Sequence, residues 1–409
     1  MNRINRRQSL LIACATGAAL LTACPVFAQS APTFRIGALN PITGAGANYG
    51  SGMQKSILFA VEEVNAAGGA AGRKLEVFAE DDQTTPNSAV LAAKKLLEVN
   101  KVQAILGTWA SGVSLAVLPL TNDANAILMH TSGAMSLADP KQNSKKLAFR
   151  YQGSSKHLSK AFAKAAQQEG LKRPAVLALN NPATAPHAEG FKKAWTAGGG
   201  SMSDFVLYEP NRTSYRSELQ QVLRSKPDGI ILSGYAPDSV IIIRDWFQSG
   251  TKMKWIMPGF AANAEFLKAL GNEATEGITV VESVVNEGAT AYKNFARQYE
   301  AATGKPATAN VYAAMTYDMV HVLALAIEAA GPNADTALIA KKVHEVTTGN
   351  GQKVGSFAEG KALLKQGKKI NYEGASSSVD FDDENDVDPT FAAFTIKNGA
   401  WQRAYLINR

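Results

Sequence analysis

The chain has 409 residues, of which 46% are hydrophobic and 19% are charged. This composition is typical of a globular protein and excludes a disordered one, and the length predicts two domains because one hydrophobic core rarely serves so long a chain. The formal net charge is +7, but no basic stripe with interleaved aromatic residues accompanies it, so we expect no nucleic-acid partner.

Residues 1–28 have the pattern of a signal peptide, in which a basic region precedes a short apolar run. The apolar run, 10–21, is too short to cross a bilayer, and Ala28 ends a small-x-Ala cleavage site. We therefore expect cleavage after Ala28 and release into the periplasm. Cys24 leaves an alternative open, because the residues before it resemble a lipoprotein signal that would anchor the chain there. Cys14 is the other cysteine, so the mature chain should lack disulfides, thiol chemistry and cysteine metal sites.

From residue 33 onward, short apolar runs alternate with amphipathic stretches. The first set of predicted strands is 34–39, 74–80, 102–106 and 126–130, with helices at 52–66, 86–98 and 112–124. After an extended run at 147–151, the second set has strands at 175–179, 204–208, 229–233 and 255–257, with helices at 157–169, 188–197, 214–223 and 238–248. Repeated β-α units predict parallel sheets with helices on both faces, and hence an α/β protein with two doubly wound lobes.

The last third of the chain has a different pattern. A return strand at 277–285 precedes helices predicted at 290–303, 307–329 and 336–347, and the lysine-rich stretch 361–369 is interpreted as the solvated end of another helix. Residues 378–381, 391–397 and 401–406 are predicted to be antiparallel strands, with a hairpin turn at Asn398-Gly399. No low-complexity linker separates the halves, so we expect lobes joined by close crossovers.

Sequence motifs in a fixed order resemble the type I periplasmic binding proteins, most closely their branched-chain amino acid group. The motifs are IGALNPITG at 36–44, VEEVNAAGG at 61–69, EDDQ at 80–83, QAILG at 103–107, FR at 149–150, DGIILSGY at 228–235, YAAMTYD at 312–318 and VDFD at 379–382. The resemblance implies two lobes joined by three crossovers, which close over a ligand by hinge motion. It places one lobe at 33–151 plus 285–376 and the other at 152–284 plus 377–409.

The function implied by this resemblance is that of the periplasmic substrate-binding component of an ABC importer. The ligand would be a small carboxylate, either a branched-chain or other amino acid or an aromatic or keto acid. The permease and ATPase subunits of the importer would be partners, and we expect the binding protein to be a monomer. A ligand sensor of the same fold, which passes closure to a signalling partner, remains an alternative.

Residues at the carboxyl ends of the predicted strands are candidates for binding the carboxylate. Ser111 begins a helix after a strand, where free N–H groups and the helix dipole favour an anion, although the same serine could be an ordinary N-cap. The resemblance implies that Ser111 holds the carboxylate. It also aligns Ser132, Gly133 and Ala134 with a second anchoring loop, where the family often has a threonine instead of Ala134. His130 ends the strand before this loop and could contact the ligand or be a buried structural histidine.

Aromatic residues are candidates for the ligand body. Tyr49 and Tyr235 match family aromatics that cover the ligand, although Tyr49 could equally be a packing residue. Trp109 and Phe260 follow predicted strands, and Trp109 could line the cleft or cap the edge of the sheet. The acid that the family's amino acid binders carry after the strand at 255–257 is absent, since 258–261 reads PGFA. Burying an unpaired ammonium costs several kcal/mol. These residues therefore favour an aromatic or keto acid that need not carry an α-amino group.

No motif predicts an enzyme, a cofactor or a metal site. The glycine-rich segment 44–50 reads GxGxxxG rather than the dinucleotide pattern GxGxxG, and neither a P-loop nor a G-x-S-x-G elbow is present. The five histidines lack metal-ligand spacing, and the acidic run at 380–388 does not meet the EF-hand pattern.

Overall fold

The computed structural model describes residues 33–407, so the proposed leader, its cleavage site and Cys24 lie outside the described residues. The first part of the chain comprises β1 (Phe34–Asn40), α1 (Ala47–Ala66), β2 (Leu75–Asp81), α2 (Pro86–Lys94), β3 (Ala104–Gly107), α3 (Ser111–Asp123), β4 (Ile127–His130) and β5 (Ala148–Arg150). The strands form a parallel sheet in the order β2-β1-β3-β4-β5. Strands β3 and β4 are buried along their whole length, as expected for a parallel sheet covered by helices on both faces.

The next part of the chain repeats the same arrangement. It comprises α4 (Ser155–Gln168), β6 (Ala175–Leu179), α5 (Thr184–Ala197), β7 (Phe205–Tyr208), α6 (Arg216–Arg224), β8 (Ile230–Ser233), α7 (Ala236–Gln248), β9 (Trp255–Pro258), α8 (Ala264–Thr275) and β10 (Thr279–Ser283). The five strands pair in parallel. The predicted α/β class with parallel sheets is confirmed.

A third segment returns to the first sheet and packs on it. It comprises α9 (Thr290–Thr303), α10 (Val311–Ala330), α11 (Thr336–Thr347), β11 (Gln352–Val354), α12 (Phe357–Leu364) and β12 (Ile370–Tyr372), and β11 and β12 form a small parallel pair. Helix α10 packs against α1. Among the described residues it is the one helix long and apolar enough to cross a membrane, but 83% of its most apolar window is buried inside the protein. It is therefore a core helix.

Two C-terminal strands complete the second sheet. Strands β13 (Phe391–Lys397) and β14 (Ala400–Ile407) form the predicted hairpin, and β13 pairs antiparallel with β10. The order of the sheet is β14-β13-β10-β9-β8-β6-β7. Within the described residues the chain thus passes between the two sheet regions after β5, after β10 and between β12 and β13. The division into two lobes that move separately stays a prediction.

One local prediction is wrong, and another is right only in part. Residues 378–381 form no strand, because Val379 has a left-handed φ of 57° that interrupts extended backbone. The stretch 361–369 is not simply a solvated helix end, since α12 ends at Leu364 and Lys361 is only 9% exposed. The Lys361 ammonium donates hydrogen bonds to the backbone oxygens of Ala67 and Gly69 and so ties α12 to the end of α1.

Candidate ligand-binding cleft

A cavity of about 40 Å³ lies between the carboxyl ends of the two large sheets. On the first-sheet side it is lined by Trp109, Ser111, Gly133, Gln152, Gly153 and Tyr312, and on the other side by Ser155, Leu158, Ala183, His187, Tyr235 and Phe260. The cavity thus brings together five of the predicted site residues, Trp109, Ser111, Gly133, Tyr235 and Phe260. No acidic side chain, lysine or arginine is among the described residues that line it.

An aromatic cluster surrounds the cavity. The ring centroid of Trp109, which follows β3, lies 5.5 Å from that of Tyr49, 5.3 Å from Tyr235 and 5.9 Å from Tyr312. Phe260, which follows β9, lies 6.4 Å from Trp109 and 5.9 Å from Tyr235. These tilted and edge-on arrangements are the favoured geometries of aromatic pairs. Because Trp109 and Tyr235 follow strands of different sheets, their contact closes the cleft between the two sides.

The N-terminus of α3 supplies unpaired hydrogen-bond donors beside the cavity. The N–H groups of Ser111, Gly112 and Val113 have no partner within the described residues. The Ser111 hydroxyl oxygen accepts the N–H of Ala134 at 3.1 Å, which leaves the hydroxyl hydrogen available to a ligand. These donors, together with the positive end of the helix dipole, can hold a carboxylate without an arginine or a lysine.

Two predicted site residues, Ser132 and His130, form hydrogen bonds with other parts of the protein. The Ser132 hydroxyl forms a short hydrogen bond with that of Ser114, and Ser132 Oγ lies 3.1 Å from the backbone oxygen of Trp109. His130 Nδ1 accepts the N–H of Ser132 at 3.2 Å. Burial, with a smaller effect of the Arg150 charge, holds the pKa of His130 well below its usual value. Neither Ser132 nor His130 lines the cavity.

Arg150 holds the loop that follows β4. Its guanidinium donates to the backbone oxygens of Ser132 and Ala134, the latter at 2.9 Å. Its Nε donates to Asp386 at 2.7 Å, and the two side chains of this ion pair are nearly inaccessible. Ala134 is itself 1% exposed and does not line the cavity, so the loop presents Gly133 to it.

Several polar residues of the cavity wall were missed by the sequence analysis. Gln152 and Ser155 follow β5 directly, and the rule that ligands bind beyond strand carboxyl ends could have found them. Gln152 donates to the hydroxyl of Tyr312 at 3.3 Å, and Ser155 donates to the backbone oxygen of Gly133 at 2.9 Å. His187 lies inside α5, where no local motif marks it.

His187 is a buried imidazole in the cavity wall. The side chain is almost inaccessible, its Nδ1 lies 2.8 Å from Ser233 Oγ, and its ring meets Phe162 edge-on. Burial lowers the pKa of His187 to about 3, so the ring is neutral at physiological pH. Its Nε2 has no hydrogen-bond partner within the described residues.

One buried acid, Glu282 on β10, lies behind the cleft. Its Oε1 accepts the N–H of Ser283 at 2.8 Å and the Ser283 hydroxyl at 3.0 Å. Gly259 makes room for the carboxyl, because a Cβ at that position would lie 2.4 Å from Glu282 Oε2. Burial raises the pKa of Glu282 to about 7. Glu282 does not line the cavity, although its charge adds to the raised pKa of Tyr49 and of Tyr312, for which burial is the larger cause.

Of the larger cavities, one adjoins this site and the largest lies elsewhere in the protein. A groove of about 500 Å³ adjoins Tyr235 and is lined in part by Thr84, Gly112 and Asn181. Since Tyr235 lines both spaces, the groove is the outer part of the same cleft. A cavity of about 570 Å³ lies against residues 342–351 and 364–370, away from the strand ends, and has no aromatic residue in its described wall.

Comparison with known proteins places the chain among binding proteins. A family model described as periplasmic binding protein matches residues 33–387. A leucine-, isoleucine-, valine-, threonine- and alanine-binding protein of Pseudomonas aeruginosa is 25% identical over 79% of this chain and 86% of that protein. A Leu/Ile/Val-binding protein of Rhizobium johnstonii is 26% identical over 75% of this chain and 82% of that protein.

Solved structures share the fold. A leucine-binding protein from Thermotoga maritima superposes with a TM-score of 0.78 at 23% identity, covering 92% of this chain and 99% of that chain. A solute-binding protein of an ABC transporter from Rhodopseudomonas palustris, in complex with benzoate, superposes with a TM-score of 0.73 at 20% identity, covering 92% of this chain and 96% of that chain. At these identities the similarity is one of architecture.

Proposed function

Since the chain belongs to the periplasmic binding protein family, we propose that it is the substrate-binding component of an ABC importer. It captures a small carboxylic acid between its two sheets and delivers the acid to a membrane permease that an ATPase drives. The leader exports the chain to the periplasm, with cleavage after Ala28.

The observation that carries this proposal is the distribution of donors and charges around the cavity. The first turn of α3 and the Ser111 hydroxyl offer donors to an anion, and the described wall contains no competing carboxylate. Hydrogen bonds to a charged acceptor contribute about 1.5–3 kcal/mol each, so a few such donors suffice to hold a carboxylate.

The remaining wall favours a flat apolar ligand body over an α-amino acid. Trp109, Tyr235 and Phe260 offer aromatic faces and edges, whereas an ammonium group needs a countercharge or several acceptors in a closed cleft. Two buried acids lie near the cleft without lining the cavity. Asp238, in the wall of the outer groove, accepts the Tyr215 hydroxyl at 2.6 Å, and Glu282 Oε1 already accepts two hydrogen bonds from Ser283. Relatives and solved structures of this fold are described with both ligand classes, amino acids and benzoate. We favour an aromatic or keto acid for this chain.

The small size of the cavity supports a hinge motion on binding. A volume of about 40 Å³ holds roughly three waters, which is less than benzoate needs. Trp109 and Tyr235 must therefore separate to admit a ligand, and the outer groove beside Tyr235 is the open path to the cavity. Lobe opening and closing is the motion that separates two aromatic residues held by different sheets.

Isothermal titration tests the ligand class. We expect benzoate or 4-methyl-2-oxopentanoate to bind the purified chain more tightly than leucine. Ser111→Ala should weaken binding of that acid by about tenfold or more, because a hydrogen bond to a charged group is lost. The control is Ser217→Ala, which removes an exposed hydroxyl on α6 that bonds only Glu218. Tight binding of leucine with no response to either acid would contradict the proposed ligand class.

Import is tested in cells. Deleting the gene for this chain should abolish high-affinity uptake of the labelled acid, and the intact mass of the periplasmic protein should correspond to a chain that begins at Gln29. Unchanged uptake would contradict the importer role. A mass that includes a lipid on Cys24 would contradict cleavage after Ala28.

A further inference from the structure

The hydrogen-bond arrangement of His187 determines which ring nitrogen carries the proton. If Ser233 donates to Nδ1, the proton of the neutral ring lies on Nε2, and only that N–H is left without a partner. If Nδ1 donates to Ser233 instead, both Nε2 and the Ser233 hydroxyl hydrogen are unpaired, because Ser233 is fully buried and has no other hydrogen bond within the described residues. Each unpaired buried polar group costs free energy. The first arrangement is therefore the more stable, and His187 carries an unpaired Nε2–H.

The side chain that carries this donor lies across the cavity from Ser111. His187 belongs to α5, beside the second sheet, whereas Ser111 begins α3 beside the first, and both line the cavity. A ligand held by its carboxylate at α3 thus extends towards α5. An oxygen acceptor on the far part of the ligand would satisfy Nε2–H, whereas an ammonium group, which only donates, would not.

We propose that His187 is a specificity-determining residue that donates a hydrogen bond from Nε2 to a hydroxyl or carbonyl oxygen of the ligand body. This inference rests on the proposed function. The cleft should therefore bind a carboxylic acid that carries an additional hydroxyl or carbonyl group more tightly than the same acid without that group. A purely structural histidine would have both ring nitrogens paired, as buried polar groups in folded proteins generally are.

The test is isothermal titration of the full chain with benzoate, 3-hydroxybenzoate and 4-hydroxybenzoate. We expect one hydroxybenzoate to bind the wild-type chain about tenfold more tightly than benzoate. In His187→Phe, which keeps an aromatic ring without nitrogens, this ratio should fall below about threefold. The control is His344→Phe, which replaces an imidazole on α11 that bonds Asn385 away from the cavity and should keep the ratio.

The outcomes separate this inference from the proposed function. If the wild-type chain binds all three acids with similar affinity, the proposed role of His187 is overturned and the proposed function is not. The same holds if His187→Phe loses affinity for all three acids equally. Binding of none of them to the wild-type chain overturns both proposals. If His187→Phe does not fold, nitrogen-15 spectra of the wild-type histidines provide the readout. The Nε2 signal of His187 should be protonated and should shift with the hydroxybenzoate but not with benzoate, and an Nδ1-protonated ring overturns the proposal.

Discussion

Replacing Glu282 with glutamine isolates the stabilising effect of one buried proton. Glu282 is 6% exposed, and among the described residues no positive charge favours its ionised form. Glutamine has nearly the same shape, and its Oε1 can accept the same two hydrogen bonds from Ser283. The substitution therefore removes the titration of the carboxyl while keeping its packing.

The magnitude follows from the pKa of Glu282, which burial raises from the ordinary glutamate value of 4.5 to about 7 in the folded chain. Between these values the folded protein binds a proton that the unfolded chain releases. This stabilisation is complete below the unfolded pKa and is lost as the pH rises through about 7. Linkage between about pH 5 and about pH 8 then gives a loss of about 2.5 kcal/mol from this group.

Urea unfolding across this pH range measures the effect. The free energy of unfolding of the wild type minus that of Glu282→Gln should fall by about 2.5 kcal/mol as the pH rises, because the glutamine stays neutral throughout. Taking the difference cancels the titration of all other groups. The control is Glu287→Gln, which makes the same substitution at a half-exposed carboxyl. A difference between wild type and Glu282→Gln that is constant with pH would refute the inference of a buried, proton-binding carboxyl.

Two further substitutions test the supports of the cleft. Arg150→Met should lower the free energy of unfolding by about 3–5 kcal/mol, because it removes the cation that pairs with the buried Asp386 carboxylate and the donor to the backbone oxygen of Ser132. Urea unfolding measures this loss, and Arg150→Met with Asp386→Leu should recover part of it, whereas no recovery would contradict the assigned cause. Trp109→Ala should lower the free energy of unfolding by about 3–5 kcal/mol through loss of the central ring of the aromatic cluster. A loss below about 1 kcal/mol in thermal unfolding would show that Trp109 does not hold the two sides together.

Much of the architecture was predictable because its signals are local. The apolar runs at 104–107, 127–130 and 230–233 are buried strands. The amphipathic stretches between such runs are helices that pack against the two large sheets. The one strand predicted wrongly, 378–381, lies in a crossing where Val379 adopts a left-handed conformation. Nothing in its alternating pattern indicates that conformation.

The candidate site was predictable only in part. Trp109, Ser111, Gly133, Tyr235 and Phe260 all line the cavity, and all follow strands, where the carboxyl ends of parallel sheets collect ligand-binding loops. Ser132 and His130 also follow or end a strand, yet their polar atoms bond to the protein itself. Whether a polar side chain faces a ligand or a neighbouring backbone depends on packing that the sequence does not show.

The amino-acid pattern is enough to predict most strands and helices, the α/β class and the loops that can reach a ligand, because hydrophobic period and turn residues act over a few positions. Which of those loops meet depends on the packing of the folded chain. It brought Trp109 against Tyr235 and placed His187 on the cavity wall with one nitrogen unpaired. It also buried Glu282 far enough from water to raise its pKa to about 7. Burial and pairing are properties of neighbours distant along the chain, so the protonation and specificity of this cleft follow from the fold.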